Sequence, residues 1–265
     1  VADKVRGKLG DDGAHNLAFV RKAITAELHR LSPESEAHTL RLVLMQAAAD
    51  ADIVLDLHTD SEAELHIYLD PEQWPGAADL AGLLKASVVM FARNSGNDPF
   101  EETVALPYLK AKEGNPGRPL ATPLTAVVEL RGESDVSDDL ASPDSEALFR
   151  FLVHRGVIGG KEGDIPVFTG IAAPFEATEI VRSPAAGIVV YKQELGATVA
   201  KGDLIAEIVD PLGQDGRKRV QVTAGADGRF FTRSQTRLAW PGAAIGKIQA
   251  FKPLPGRESG RLLYD

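Results

Sequence analysis

Carboxylates and imidazoles are concentrated in one short stretch, ADIVLDLHTDSEAELHIYLD, which covers residues 51–70. An apolar run at 53–55 leads into it, and Asp56 and His58 follow two residues apart. On a strand, side chains with this spacing point to the same face, and functional groups of α/β sheets gather beyond the carboxyl ends of strands. A His at that point can bind a metal through one ring nitrogen while a carboxylate or carbonyl orients the other. An isolated His at a strand end is more often simply hydrogen-bonded, so both interpretations of His58 stay open.

A second candidate is Glu129 in TAVVELRGESD, which interrupts a buried strand near its carboxyl end. An unpaired carboxylate is costly in such a place. One interpretation is a general base or acid for a metal-bound water, and the other is a buried ion pair or an edge-strand carboxylate. Glu129 and Arg131 are predicted to share a face of the strand. Arg131 could bind a substrate carboxylate or only neutralise a neighbour.

The first stretch also offers a local alternative, in which His58, Glu62 or Glu64, and His66 form a complete metal site. Two His and one carboxylate suit zinc, and Glu64 and His66 are predicted to share a strand face. One short turn would then have to bring all three side chains around a single ion. His66 and Tyr68 could line a pocket or belong to the core.

Composition narrows the function classes. The chain has 265 residues and no cysteine, so any metal site must use His, Asp and Glu. A net charge of -9 argues against a nucleic-acid partner, because phosphate binding needs a basic face. No apolar run is long enough to span a bilayer and no signal-peptide pattern opens the chain, so no membrane partner is expected and a cytoplasmic location is the default. A homo-oligomer is allowed.

The first part of the chain alternates helical and strand patterns, which predicts an α/β domain over residues 1–160 with a mostly parallel central sheet. One predicted helix begins after Ser32-Pro33 and runs to about Ala49. The remaining elements are helices at 14–31, 77–85 and from Ser142-Pro143 to His154, strands at 52–57, 64–69, 87–91 and 124–130, and a loop over much of 93–119. The strand at 52–57 is predicted to be buried on both faces. The buried stripe of the second helix is predicted to be Leu40, Val43, Leu44 and Ala47.

Residues 170–265 have a different character, with short β-type runs between Gly and Pro turns. Residues 183–208 can be laid over 223–248, so that Gly187 matches Gly228 and Gly202 matches Gly242. Two such halves predict a small pseudo-symmetric sandwich or barrel, and the pattern resembles the biotinyl/lipoyl domain. The hairpin VDPLGQDGRKRV, where that fold carries its prosthetic group, has no lysine flanked in the carrier manner. A structural or lid domain is therefore favoured.

Taken together, these motifs resemble the succinylglutamate desuccinylase/aspartoacylase family, a branch of the zinc carboxypeptidase-like hydrolases. ADIVLDLHTDSEAELHIY is similar to that family's third zinc-ligand segment, TAVVELRG to its catalytic-glutamate strand, and SPAAGIVV to the opening of its β-rich tail. The resemblance implies a deacylase that cleaves the amide bond of a small N-acylated amino acid. It further implies Zn²⁺ with His58 as one ligand, Glu129 as the catalytic acid and base, and Arg131 as a substrate contact.

The sequence also departs from the family pattern. The His-Gly-x-Glu type motif with two further zinc ligands and the following Asn-Arg pair are both missing, and GAHNLAFVR lacks their spacing. We therefore expect an N-terminal portion that carries them to precede Val1. Two rival functions remain: a non-catalytic binding or carrier protein that uses the β-rich domain, and a peptide-cleaving zinc carboxypeptidase.

Overall fold

The computed structural model describes residues 1–213 and 219–260 and shows an α/β part followed by β-rich structure. Its helices are α1 (Ala2–Val5), α2 (Gly13–Leu28), α3 (Glu36–Ala48), α4 (Ala78–Leu83), α5 (Phe100–Glu113) and α6 (Asp138–His154). Its strands are β1 (Ile53–Asp60), β2 (Glu62–Ala63), β3 (His66–Leu69), β4 (Val88–Phe91), β5 (Leu124–Gly132), β6 (Ile171–Pro174), β7 (Thr178–Arg182), β8 (Gly187–Tyr191), β9 (Thr198–Val199), β10 (Leu204–Val209), β11 (Arg219–Thr223), β12 (Gly228–Arg233), β13 (Leu238–Ala239) and β14 (Ala244–Gln249). Within the described ranges, no helix combines the length and the apolar character needed to cross a membrane.

The central sheet has the strand order β1-β5-β3-β4-β6, and β3 with β4 and β4 with β6 pair in parallel. Hydrogen bonds from Leu124 N to Asp52 O and from Glu133 N to Asp60 O show that β5 runs in the same direction as β1. The α/β prediction is thus confirmed. Burial of β1 on both faces is wrong, because β1 lies at the edge of this order and Leu57 is 51% exposed.

By compactness the chain divides into two units, one of residues 1–56 and 98–126, the other of 57–97 and 127–265. The first unit has its own core, in which Val20 and Ile24 of α2, Leu42 of α3 and Tyr108 of α5 pack together. Residues 53–56 of β1 and 124–126 of β5 belong to the first unit, and the remaining residues of both strands belong to the second. The predicted division into 1–160 and 170–265 stays a prediction.

Two helix starts differ from the predictions. α3 has Ser35, not Ser32, as its N-cap, because the Ser35 side chain accepts a hydrogen bond from His38 N. The predicted buried stripe of α3 is exposed, and Leu42 and Ala48 are buried instead. Periodicity identifies residues that share a helix face, but it does not show whether that face is covered. α6 begins after Ser137, so Pro143 lies inside the helix and not at its first turn.

The loop predicted over 93–119 is wrong, because α5 occupies its middle. Pro107 removes one hydrogen bond within this helix. Burial of one face offsets the loss: Tyr108 is 1% exposed, and its hydroxyl donates to Ala49 O at 2.9 Å. The prediction missed this helix because the Gly, Asn and Pro residues that flank it on both sides are typical of a loop.

The β-rich structure follows the predicted repeat. One sheet has the order β11-β10-β8-β13, the other β2-β12-β14-β7 with β9 paired to β12, and Val189, Ile205, Phe230 and Ile245 are among the core residues of this part. Gly187 and Gly228 each begin a strand where an added Cβ would meet a backbone oxygen, at 2.5 Å from Val209 O and at 2.3 Å from Gln249 O. These close approaches explain why glycine recurs at both positions. Of the hairpin at 209–220, residues 214–218 lie outside the described residues, so the prediction about a carrier lysine is not tested.

Candidate active site

The two predicted site residues lie on neighbouring strands, His58 near the end of β1 and Glu129 near the end of β5. His58 is exposed, whereas Glu129 is half-buried with one carboxylate oxygen fully buried. The strand ends are tied together, because Glu133 N donates to Asp60 O at 2.9 Å. This arrangement holds an imidazole and a carboxylate at the same end of the sheet.

Three carboxylates that follow His58 at alternate positions bind basic side chains. Asp60, Glu62 and Glu64, which we call the acidic ladder, alternate along the extended segment and bind basic side chains of β12 and β14 and their surroundings. Lys247 contacts Asp60 at 2.9 Å, Arg233 and Arg237 both contact Glu62 at 2.6 Å, and Arg229 makes two 2.6 Å bonds to Glu64. Backbone pairing of β2 with β12 reinforces these contacts, with Ala63 opposite Thr232. The ladder therefore attaches the segment after β1 to the β-rich structure.

The partners of the ladder also set its protonation. Burial works to raise the pKa of Asp60, but the charge and hydrogen bond of Lys247 and the Ser61 N–H outweigh it and lower that pKa. Burial likewise acts to raise the pKa of Glu62, and the hydrogen bonds from Arg233 and Arg237 lower it instead. Both groups are thus held as carboxylates at neutral pH.

Lys247 interacts electrostatically with both Asp60 and the candidate catalytic carboxylate Glu129. Burial opposes its charge, yet electrostatic interactions with Tyr68, Asp60 and Glu129 and the hydrogen bond to Asp60 raise the pKa of Lys247 well above its ordinary value. With Asp60, Ser61, Arg233 and other residues it lines a crevice of about 210 Å³. A permanently charged lysine is therefore placed among the groups at the strand ends.

His66 is a core residue in this structure. It is fully buried, its Nδ1 lies 2.8 Å from Glu64 O, and its ring packs edge-on against Tyr68 and Phe231. Burial lowers the pKa of His66 to about 4, so the ring is neutral at pH 7. Its Nε2 is 3.9 Å from Asp60 Oδ2 and has no hydrogen-bond partner in the described part of the chain.

The predicted shared face of Glu129 and Arg131 is wrong. Arg131 has a φ of 70°, in the left-handed region, which interrupts the alternation of a strand. Its guanidinium forms an ion pair with Asp144 of α6. It also lines a cavity of about 550 Å³ together with Glu64, Lys85 and Arg150. Of the two roles left open for Arg131, the geometry favours neutralising a neighbour, while substrate binding stays a prediction.

The local metal site of His58, Glu62 or Glu64, and His66 is also wrong, because both glutamates are bound to arginines and His66 is buried in the core. Over residues 1–213 and 219–260, no three His, Asp, Glu or Cys side chains are grouped so that they could hold a metal ion. The described residues therefore do not fit a zinc ion on their own, and His58 is the single candidate ligand that the resemblance supplies.

Lys247 and Asp60 were missed as site residues by the sequence analysis. Their only local signal is a lysine in the middle of AIGKIQ, an otherwise apolar strand pattern. Their partnership spans 187 positions, so no local spacing predicts it.

Comparison with solved structures identifies the fold. A succinylglutamate desuccinylase/aspartoacylase family protein from Shewanella amazonensis SB2B superimposes with a TM-score of 0.78 at 22% identity, covering 90% of this chain and 66% of that one. A protein from Shewanella frigidimarina NCIMB 400 that is named after succinylglutamate desuccinylase/aspartoacylase gives 0.77 at 20% identity, covering 90% of this chain and 65% of that one. The ectoine utilization protein EutE (DoeB) from Ruegeria pomeroyi, in its apo form, gives 0.60 at 18% identity, covering 82% and 66%.

The chain thus has the fold of the succinylglutamate desuccinylase/aspartoacylase proteins, as the resemblance of its motifs implied. It spans just under two thirds of the length of these structures. No protein-family model and no curated protein matches the sequence.

Proposed function

We propose that this chain belongs to the succinylglutamate desuccinylase/aspartoacylase family and forms part of a deacylase that cleaves the amide bond of a small N-acylated amino acid. The observation that carries the proposal is the position of Glu129, a half-buried carboxylate in the second half of β5, beside the strand that carries His58. The names of the proteins that share the fold support the same reaction class.

In the proposed reaction, Glu129 accepts a proton from the attacking water. The water oxygen forms a bond to the acyl carbon, the C–N bond breaks, and the proton passes from Glu129 to the leaving amine. The products are a carboxylate and a free amino group, so atoms balance without a further reactant. Lys247 places a positive charge within electrostatic range of Glu129, since the charge of Glu129 is among the causes that raise the pKa of Lys247.

Zinc is part of the proposal through His58 alone. The family resemblance makes His58 one ligand, and a functional zinc site requires further ligands from residues other than the described ones. We therefore assign no reaction step to the metal. Zinc content of purified protein measures this part directly: His58→Ala should lower it, and an unchanged content would make His58 structural.

Glu129→Gln tests the catalytic assignment, with N-succinyl-L-glutamate and N-acetyl-L-aspartate as probes. Loss of a general base should lower turnover by about a hundredfold or more, with little change in KM. The matched control is Glu133→Gln, which changes an exposed carboxylate four residues further on that accepts from the Gln235 side chain. Normal turnover in Glu129→Gln would remove Glu129 from the mechanism.

The same assay separates the rivals. A peptide-cleaving carboxypeptidase would release the C-terminal residue of short peptides and leave both N-acylated probes intact. A binding protein would turn over neither class. Either result in the full-length protein would overturn the proposed function.

A further inference from the structure

Among the described basic partners of the acidic ladder, Lys247 lies on β14, an interior strand of its sheet. β14 is hydrogen-bonded to β12 on one side and to β7 on the other, with Lys247 opposite Thr232 and Ile180. Hydrogen bonding on both sides restricts the motion of the backbone at Lys247, and so the position from which its side chain extends. Lys247 is thus a charge carried on a rigid element, as the positioning of a site requires.

Asp60 links that rigid strand to the strand ends of the central sheet. Its Oδ2 accepts from Lys247 Nζ at 2.9 Å, and its Oδ1 accepts from Ser61 N at 2.7 Å. Its backbone oxygen accepts a hydrogen bond from Glu133 N at 2.9 Å, and Glu133 is the residue that follows the end of β5. One residue therefore joins β14, the end of β1 and the end of the strand that carries Glu129.

The other candidate cation for Asp60 cannot replace Lys247. His66 Nε2 is 3.9 Å from Asp60 Oδ2, beyond a hydrogen bond, and the buried ring is neutral at pH 7. The Asp60 carboxylate is stabilised by a backbone N–H of Ser61 and by the positive charge of Lys247. The geometry of this carboxylate thus depends on Lys247.

From these contacts we infer that Lys247 is a positioning residue of the proposed active site, which acts through Asp60 to fix the ends of β1 and β5 and so the reach of Glu129. The inference rests on the proposed function for its catalytic consequence. Its structural part, the fixed strand ends, can be measured without any substrate.

The first experiment compares Lys247→Met, Lys247→Arg and Glu207→Gln in full-length protein by amide hydrogen exchange. Glu207 occupies the position that corresponds to Lys247 in the other half of the repeat and also forms ion pairs, with Lys192 and Arg219, so it controls for the general loss of a charged contact. We expect exchange at the amides of Ser61 and Glu133 to be at least about tenfold faster in Lys247→Met and unchanged in Glu207→Gln. Unchanged exchange in Lys247→Met would overturn the inference.

The second experiment measures turnover of N-succinyl-L-glutamate and N-acetyl-L-aspartate by the same proteins. A misplaced catalytic group lowers kcat more than it raises KM, so Lys247→Met should lose about tenfold or more in kcat with KM nearly constant. Lys247→Arg keeps the charge and should recover most of the rate. Wild-type kcat in a folded Lys247→Met protein, or an effect on KM alone, would overturn the inference.

Asp60→Asn and the double variant Asp60→Asn/Lys247→Met keep the test decisive if Lys247→Met fails to fold, because the double variant leaves no buried unpaired charge. Action through Asp60 predicts that the double variant is no slower than Asp60→Asn alone. A double variant that regains the wild-type rate would show that Lys247 only neutralises Asp60. If wild-type protein hydrolyses neither probe, the proposed function fails, while the exchange data still decide whether Lys247 fixes the strand ends.

Discussion

Glu207 and Lys247 stand at corresponding positions in the two halves of the β-rich repeat, one in β10 and the other in β14. Glu207 is bound at 2.9 Å by Lys192 of its own half and at 2.6 Å by Arg219, which lies between the two halves and close to Glu207 in sequence. Lys247 is bound by Asp60, which lies 187 residues earlier in the chain. The repeat thus keeps its glycines and its core, while the outward positions of one sheet have acquired partners outside the repeat.

The neighbouring strands differ in the same way. Phe231 of β12 is fully buried and packs edge-on against His66, with ring centroids 5.1 Å apart. Its counterpart in β8, Val190, is only half-buried, and the adjacent Ile188 is 41% exposed. The two halves therefore share the buried glycines and a common core, while their outer faces differ in what covers them.

The largest expected effect comes from removing the covered aromatic ring. Phe231→Ala should lower the free energy of unfolding by about 3 to 5 kcal/mol, because it leaves a cavity at a fully buried site. Val190→Ala, at the matched position, should cost less than about 1 kcal/mol. Urea unfolding with an unchanged m-value gives both numbers. Equal losses in the two variants would mean that the outer faces are not as different as the structure shows.

The second prediction concerns the pH dependence of the unfolding free energy, which His66 on the covered face should dominate between about pH 6.5 and pH 4. His66 packs against the covered face, and burial lowers its pKa to about 4 from the ordinary value near 6.5. A depressed histidine pKa means that the unfolded chain takes up the proton first, so stability should fall as pH drops from about 6.5 to about 4. The full loss attributable to this group is about 3 kcal/mol. The lowered pKa of Asp60 adds a further loss only at lower pH, below its ordinary value of 3.8.

His66→Phe supplies the control for this pH dependence. A neutral aromatic side chain at the same place cannot take up a proton, so the slope of the unfolding free energy between about pH 6.5 and pH 4 should largely disappear. Urea titrations at several pH values on both proteins decide the matter. A wild-type curve that is flat over this range would show that His66 can be protonated in the folded protein without cost.

How far the sequence alone reached can be seen from particular residues. The sequence pattern around Glu129 and the paired glycines Gly187 and Gly228 predicted strands correctly. Both signals lie in a short stretch of sequence and reflect the local backbone conformation. Arg131 was misplaced because its left-handed φ has no sequence signature in a non-glycine residue.

The acidic ladder could not be interpreted from its own sequence either. Its carboxylates have the composition of a metal site, and only the arginines of β12 and its neighbourhood, more than 160 positions away, show that they are attachment points. A carboxylate cluster is ambiguous until its partners are known, since cations and basic side chains favour the same donors. The role of Lys247 was hidden for the same reason.

The smallest expected effect tests the ladder against its counterpart in the other half. Glu62→Gln removes a carboxylate bound by Arg233 and Arg237, and should cost about 1 kcal/mol of unfolding free energy. Glu207→Gln should cost less, because its partner Arg219 is 48% exposed whereas Arg233 is 19% exposed. High salt should increase the difference between the two variants, because the Debye length falls to about 3 Å at about 1 M NaCl. Under that condition the stability loss of Glu207→Gln should vanish, and that of Glu62→Gln should persist in part. Urea unfolding of both variants at low and high salt provides the measurement. If the two effects decay equally with salt, the ladder is an ordinary surface cluster and the contrast between the two halves rests on Phe231 and Lys247 alone.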